Sequence, residues 1–279
     1  MSKTYELIDS GNGLKLERFG EVLLSRPASQ AVWRPRLKKS AWRNAHGSFS
    51  REGSGGWSWT QSVPNHWVVE VDGLQFRISP TDFGHVGLFP EQRPTWRWLT
   101  ELTSKQGTAP RVLNLFAYSG AATLAAAKGG ADVTHLDASK GMITWARENT
   151  ELNRMDQASI RWIPDDALKF LQREERRGRQ YEGIILDPPT FGRGPRGEVF
   201  KWEEQILPLL DACAKVLSSE PLFVCLSCHT PGMTPTTLHT LLQQMMHKKS
   251  GSIQAEEMLL TGAEAAPLPS GVIARWTCD

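Results

Sequence analysis

The rhythm of apolar and polar positions changes once along the chain. Before residue 90, short apolar runs such as EVLLSRP (21–27), HWVVEVDG (66–73) and LQFRISP (74–80) are broken by turn residues and interleaved with Trp, Gly and Pro. Runs of that length, rich in β-branched and aromatic residues, predict strands. They make residues 1–90 a small β-rich module without a long helix. From residue 111 onward the rhythm is regular. RVLNLFA (111–117), DVTHLDA (132–138), SIRWIPDD (159–166), YEGIILDPP (181–189) and LFVCLSC (222–228) read as strands. Between and after them, AATLAAAKGG (121–130), SKGMITWARENTELN (139–153), ALKFLQREERRG (167–178), FKWEEQILPLLDACAKVLSS (200–219) and TTLHTLLQQMMHKK (236–249) read as helices. Strict alternation predicts an α/β, Rossmann-like domain over 91–279, its mostly parallel sheet covered on both faces. The rhythm breaks at SIQAEEMLL (252–260) and VIARWTC (272–278), which have a Pro- and Gly-containing loop but no helix between them. They predict a terminal antiparallel hairpin at one edge of the sheet.

Composition adds a few limits. Of 279 residues 40% are apolar, and no stretch reaches the roughly 20 apolar residues that span a bilayer. The start has no apolar signal core, so a cytoplasmic location without membrane contact is expected. Four scattered cysteines make no disulfide framework. The net charge of +2 points to no partner, but its distribution does more. Arg26, Arg34, Arg36, Lys38, Lys39 and Arg43 face only Glu17 and Glu21 between residues 15 and 51, a bias that suits either a polyanion or a solvated basic face.

Candidate chemistry sits at the carboxyl ends of the predicted strands. The turn after the first, Phe116-Ala117-Tyr118-Ser119-Gly120, has one glycine where a dinucleotide fingerprint needs three. Asp137, ending the second strand, is placed to accept from ribose hydroxyls, or else to cap the next helix. Asp165 and Asp166 end the third; one can meet the adenine amine while the other caps, or both can cap. Asp187-Pro188-Pro189-Thr190-Phe191 leaves the fourth strand with two prolines stiffening the loop. The single glycine, that loop and the terminal hairpin favour S-adenosylmethionine (SAM) over a nicotinamide dinucleotide as the nucleoside cofactor.

Five stretches in order, Gly87-Leu88-Phe89-Pro90-Glu91-Gln92-Arg93, Asn114-Leu115-Phe116-Ala117-Tyr118-Ser119-Gly120, Leu136-Asp137-Ala138-Ser139-Lys140, Ala146-Arg147-Glu148-Asn149 and Asp187-Pro188-Pro189-Thr190-Phe191, complete the picture. Together they resemble class I SAM-dependent methyltransferases related to the bacterial 23S ribosomal RNA cytosine-5 and guanine-N7 enzymes, over about residues 72 to 279. The chain departs from that family in lacking the pattern of an N-terminal PUA domain and in carrying Glu91 where Asp is commoner. The resemblance implies that Phe116, Tyr118, Ser119 and Gly120 line the methionine side of SAM. It implies that Asp137 holds the ribose, that Ala138 lies beside the adenine, with Ser139 also on the cofactor, and that Asp165 or Asp166 meets the adenine amine. Phe89 and Gln92 then form a lid side. Asp187 and Pro188 open onto the methyl group, and Pro189, Phe191, Arg193 and Arg196 contact the substrate, an RNA that is expected to be ribosomal.

The same resemblance places Cys228 where cytosine-5 enzymes carry their nucleophile. Cytosine C5 attacks the SAM methyl only after a thiolate has added to C6, and His229 would help to form that thiolate. A buried structural cysteine is the alternative reading. The fold could then methylate a ring nitrogen or an exocyclic amine, which needs no covalent adduct. Cys225 and Cys228 lie three apart on one strand and so on opposite faces; no metal is expected. Arg173, Arg176, Arg177 and Arg179, with Arg193 and Arg196, are the expected phosphate contacts. A methyltransferase acting on protein or a small molecule, and an RNA-binding assembly protein without turnover, are the competing functions.

Overall fold

In the computed structural model, which describes residues 4–53, 55–193, 197 and 199–279, the chain divides into two units. The first comprises Met1–Arg93 and Leu259–Ser270, the second Pro94–Met258 and Gly271–Asp279.

In the first unit β1 (Tyr5–Gly11), β2 (Leu14–Phe19), β3 (Val22–Pro27), α1 (Lys39–Arg43), β4 (Gly47–Ser50) and β5 (Gly56–Trp59) follow one another. The five strands pair in chain order, antiparallel except β3 with β4. β6 (Trp67–Val71) and β7 (Leu74–Ile78) form a separate antiparallel hairpin. Glu17, wholly buried, accepts from Tyr5 Oη (3.1 Å) and Arg26 Nε (2.8 Å) and pairs with Lys15 (3.1 Å). Burial alone would raise its pKa, but Arg26 and Lys15 outweigh burial and hold it below the usual carboxylate range.

The second unit begins at the second residue of α2 (Arg93–Ser104), whose buried Trp96, Leu99 and Thr103 share one face. Then come β8 (Arg111–Leu115), α3 (Ala121–Lys128), β9 (Asp132–Asp137), α4 (Lys140–Leu152), β10 (Ile160–Pro164), α5 (Ala167–Arg176) and β11 (Gly183–Leu186). A small antiparallel hairpin, β12 (Phe191–Arg193) and β13 (Val199–Lys201), precedes α6 (Trp202–Val216). β14 (Phe223–Cys228), α7 (Pro235–Met245), β15 (Ser252–Leu260) and β16 (Leu268–Thr277) finish the chain.

The seven-stranded sheet runs β10-β9-β8-β11-β14-β16-β15, parallel through β14 and antiparallel from β14 to β16. The α/β alternation and the terminal hairpin predicted from the pattern are therefore present. Two elements differ from the expectation: residues 200 and 201 belong to β13 rather than to the helix, and α2 was not foreseen. The hairpin also joins two units. β16 pairs with β14 only from Val272 to Thr277, and the loop beyond it lies close to β1, where a Cβ on Gly262 would meet the Leu7 carbonyl oxygen at 2.0 Å. The first unit therefore takes in a segment that a boundary at residue 90 leaves out.

Period-two alternation sorts the strand residues onto two faces. Leu113, Leu115, Leu136, Ile184, Leu186, Val224, Leu226 and Cys228 enter one core with α5, α6 and α7. On the other face Asn114 Nδ2 donates to Thr123 Oγ1 (2.9 Å), which in turn meets His135 Nδ1 (2.8 Å). Burial depresses the pKa of His135 to about 3. The unfolded imidazole takes its proton near 6.5, whereas the folded one refuses it until about 3. This contribution is fully present above pH 6.5 and is lost as pH falls, by about 1.4 kcal/mol for each unit down to about pH 3. Urea unfolding at stepped pH is expected to show a steeper acid loss in the native chain than in His135→Gln. Equal slopes would contradict it.

Candidate active site

The turn between β8 and α3 is bent tightly. Phe116 (φ +57°) and Tyr118 (φ +51°) both occupy the left-handed region that non-glycine residues rarely visit. Gly120 (φ +89°) follows, where a Cβ would lie 2.9 Å from that of Ala146. Hydrogen bonds hold this shape. The Ala117 N–H donates to Leu136 O (3.0 Å), and Asn149 Nδ2 to Ser119 O (2.9 Å). The Tyr118 N–H donates to Asp137 Oδ2 (2.9 Å). α3 begins with no side-chain cap, so its first backbone N–H groups are available to an anion.

Asp137 ties two strand ends together, because its Oδ1 also accepts the Ser139 N–H (2.8 Å). It is not the cap of α4; Ser139 is, accepting from the Met142 N–H (3.4 Å). Burial raises the Asp137 pKa, and the two backbone donors only partly oppose this. Each carboxylate oxygen keeps a second lone pair for a ligand hydroxyl. Ala138 is half-buried next to it. At the end of β10 the two adjacent acids separate: Asp166 caps α5 by accepting from the Lys169 N–H (3.0 Å), while Asp165 pairs with Arg173.

Asp187 follows β11, whose register sets Leu186 beside Leu226 of β14. Its carboxylate accepts from Ser227 Oγ (2.7 Å) and lies 3.7 Å from His229 Nε2. The loop after it is closed at both ends. Thr190 Oγ1 meets Thr230 Oγ1 (2.9 Å), and Thr190 O accepts the Trp202 N–H (3.1 Å). Pro188 is buried; Pro189 and Phe191 are exposed, Phe191 at 52%. Phe200 of the small hairpin meets Phe116 edge-on with ring centroids 5.3 Å apart, which brings this loop to the β8–α3 turn. Ser227, Thr190 and Thr230 had been passed over in the sequence. The one available signal was Ser227, which shares a strand face with Asp187 once β11 and β14 are paired.

Cys228 does not suit a nucleophile. Ile184, Leu186 and Cys228 face the α5–α7 core, whereas Asp187 and Ser227 meet on the opposite face. The Cys228 side chain is fully buried and its Sγ accepts the Thr230 N–H (3.3 Å). Burial pushes the thiol pKa up, so thiolate is disfavoured. His229 is turned to Asp187. Cys225 is buried too, its pKa pushed up to about 12. No cluster of metal-ligating side chains occurs among the described residues.

The remaining predicted residues are spread more widely. Phe89 and Gln92 belong to the first unit, where Phe89 lies edge-on to His85 (5.3 Å) and Gln92 is buried in a 3-10 turn. Arg196 lies outside the described residues, as does the side chain of Arg193. The expected phosphate contacts on α5 are largely committed elsewhere. Arg177 and Arg179 lie 3.1 and 4.0 Å from the buried Glu174, Arg173 pairs with Asp165, and Arg176 Nε donates to Gln172 O (3.3 Å).

Known proteins resemble this chain in sequence and in fold. The family described as S-adenosylmethionine-dependent methyltransferase matches residues 40–233. A SAM-dependent methyltransferase from Agrobacterium tumefaciens has 40% identical residues and a TM-score of 0.94, with 99% of this chain and 90% of that one covered. Ribosomal RNA large subunit methyltransferase K/L of Shewanella frigidimarina is 32% identical over 192 residues, covering 67% of this chain and 25% of that protein. The K/L protein of Pseudoalteromonas translucida is 37% identical over 153 residues, 54% of this chain and 21% of that protein. The chain thus spans a quarter or less of the length of these two relatives. A bent, uncapped strand–helix turn, an acid at the second strand end and a proline-stiffened acidic loop at the fourth stand on one sheet edge, and the chain belongs to the S-adenosylmethionine-dependent methyltransferase family.

Proposed function

We propose that this chain transfers the methyl group of SAM to a base of RNA, ribosomal RNA in particular, at an acceptor atom that needs no covalent adduct. The separation of Asp187 from Cys228 across the sheet carries the acceptor assignment, since one base cannot meet both. The likeness to the K/L proteins supports RNA as the substrate class.

SAM supplies an electrophilic methyl on a sulfonium. The chain's own residues hold it and align the acceptor. The free N–H groups at the start of α3 receive the amino-acid carboxylate. Phe116, Tyr118, Ser119 and Gly120 form the wall beside it, and Asp137, flanked by Ala138 and Ser139, accepts from the ribose. With Asp166 engaged as a cap, Asp165 is the acid left to face the adenine amine, provided that Arg173 yields it. Asp187, oriented by Ser227, accepts from an N–H on the edge of the base and holds a nitrogen lone pair in line with the methyl. Pro188 and Pro189 keep that loop stiff, and exposed Phe191 offers a ring face for stacking. A paired base must leave its helix to enter.

Asp137→Asn replaces one acceptor oxygen with an amide NH₂ that points at a backbone N–H. SAM affinity is expected to fall at least about ten-fold by calorimetry, in line with the loss of a charge-assisted hydrogen bond. In the native chain affinity is expected to decline as pH falls through the raised Asp137 pKa, because the protonated carboxyl is a poorer acceptor. Affinity insensitive to both changes would move the ribose elsewhere.

Labelled methyl transfer to ribosomal RNA, followed by nucleoside analysis, tests the reaction. An N-methylated base is expected, with about a hundred-fold loss in Asp187→Ala and activity within a few-fold of native in Cys228→Ala. Labelled 5-methylcytosine that disappears in Cys228→Ala would restore the nucleophile. No label in RNA, with SAM bound, would reject the substrate.

A further inference from the structure

Between Glu21 and Glu52 the chain has no acidic residue, yet it carries Arg26, Arg34, Arg36, Lys38, Lys39, Arg43 and Arg51. Arg26 is engaged with buried Glu17; the other six are exposed. Their segment is held in shape by one buried acid. Asp9, 1% exposed, accepts the backbone N–H groups of Arg36 (3.3 Å) and Leu37 (2.9 Å) and the indole N–H of Trp42 (3.1 Å). The basic side chains of α1 and the loop before it are thus presented from a fixed backbone.

The two strands that follow α1 in the chain, β4 and β5, carry an aromatic ladder. Phe49 and Trp57 meet edge-on at 5.3 Å, and Trp57 and Trp59 stack at 5.0 Å with ring planes 16° apart. Trp59 lies across Gly47, where any Cβ would come within 2.4 Å of the indole. The ladder's outer ring is 41% exposed. Thr60 links its end to the residues after Arg43, donating its hydroxyl to Ala45 O (2.6 Å) and its N–H to His46 O (2.9 Å).

We infer that this ledge of the first unit docks a single strand of RNA, with phosphates on Lys38, Lys39 and Arg43 and a base stacked on Trp59. A half-exposed indole in the hairpin that directly follows a run of exposed cations with no acidic residue among them matches an unpaired nucleotide, which offers a π-face and a phosphate together. A duplex hides its base faces and offers only the phosphates. An anionic lipid surface also attracts basic residues and tryptophan. Trp59, though, is stacked on Trp57 and lies across Gly47, a seat fixed by the β4–β5 hairpin. The inference rests on the RNA reading above for the identity of the polymer, and it adds a binding site in the first unit.

Anisotropy of a labelled oligouridylate with the full chain tests it, run beside a duplex RNA and vesicles containing phosphatidylserine. The single strand is expected to bind best and to quench tryptophan fluorescence. Trp59→Ala is expected to weaken it about ten-fold, with Trp59→Phe retaining most of the affinity. Lys38→Glu with Lys39→Glu and Arg43→Glu, all exposed positions, is expected to reduce the slope of log affinity against log salt by about 2, at roughly 0.7 for each lost phosphate contact. Both variants keep native SAM affinity. Equal RNA affinity in the native chain and both variants, or a preference for vesicles over RNA, overturns the site. Native methylation of ribosomal RNA by those variants, with oligouridylate affinity unchanged, removes the ledge and leaves the proposed activity standing. Variant-sensitive binding of oligouridylate without RNA methylation does the reverse.

Discussion

A side chain at the end of a strand has only two directions to take, and neighbours on one strand take opposite ones. That constraint arranges the second unit. It gives Leu113, Leu115 and Leu136 to one core and Asn114 and His135 to the other face. At β11 and β14 it turns Ile184, Leu186 and Cys228 inward with α5–α7, and lets Asp187 and Ser227 meet beside the loop that carries Pro188 and Pro189. The same parity turns the Cys228 thiol into the core and the Asp187 carboxylate to the opposite face.

The β8–α3 turn shows how such a site is kept in an unfavourable shape. Two non-glycine residues with positive φ cost of order 1–3 kcal/mol each. Set against that are the bonds from Asp137 to the Tyr118 N–H, from Asn149 to Ser119 O and from the Ala117 N–H to Leu136 O. Asp137 thereby closes the fold from the β8–α3 turn to the end of β9. Below it, the Asn114–Thr123–His135 chain pairs His135 Nδ1, leaves His135 Nε2 buried without a hydrogen bond, and places no charge under the turn.

Much of this could be read from the residues alone. The sheet was legible because strands and helices alternate with clear lengths, and Asp137 and Asp187 because acids at strand ends stand out. The β12–β13 hairpin was not, as three-residue strands are too short to show alternation. α2 was hidden because its buried stripe includes threonines and its Trp-Arg-Trp stretch looks like the tryptophan-rich module before it. The side of Cys228 depends on the register between β11 and β14, which no single strand encodes. For the arginines of the REERRGR segment the neighbouring Glu174 was a local sign of pairing with Arg177, whereas the pairing of Arg173 with Asp165 is visible only in the fold. The basic segment before β4 was visible as charge, but nothing local marked Asp9 as the acid that fixes its backbone.

The terminal hairpin bears on how the chain is made. Leu259–Ser270 belongs with Met1–Arg93, with Gly262 close against the Leu7 carbonyl and Arg36 reaching the Glu264 carbonyl. During synthesis a domain commonly folds as soon as it has emerged. Here the unit that leaves the ribosome first must wait for a dozen residues translated after nearly all of the second unit. A cut between Arg93 and Pro94 would leave every residue of the second unit on one fragment but deprive the first unit of Leu259–Ser270.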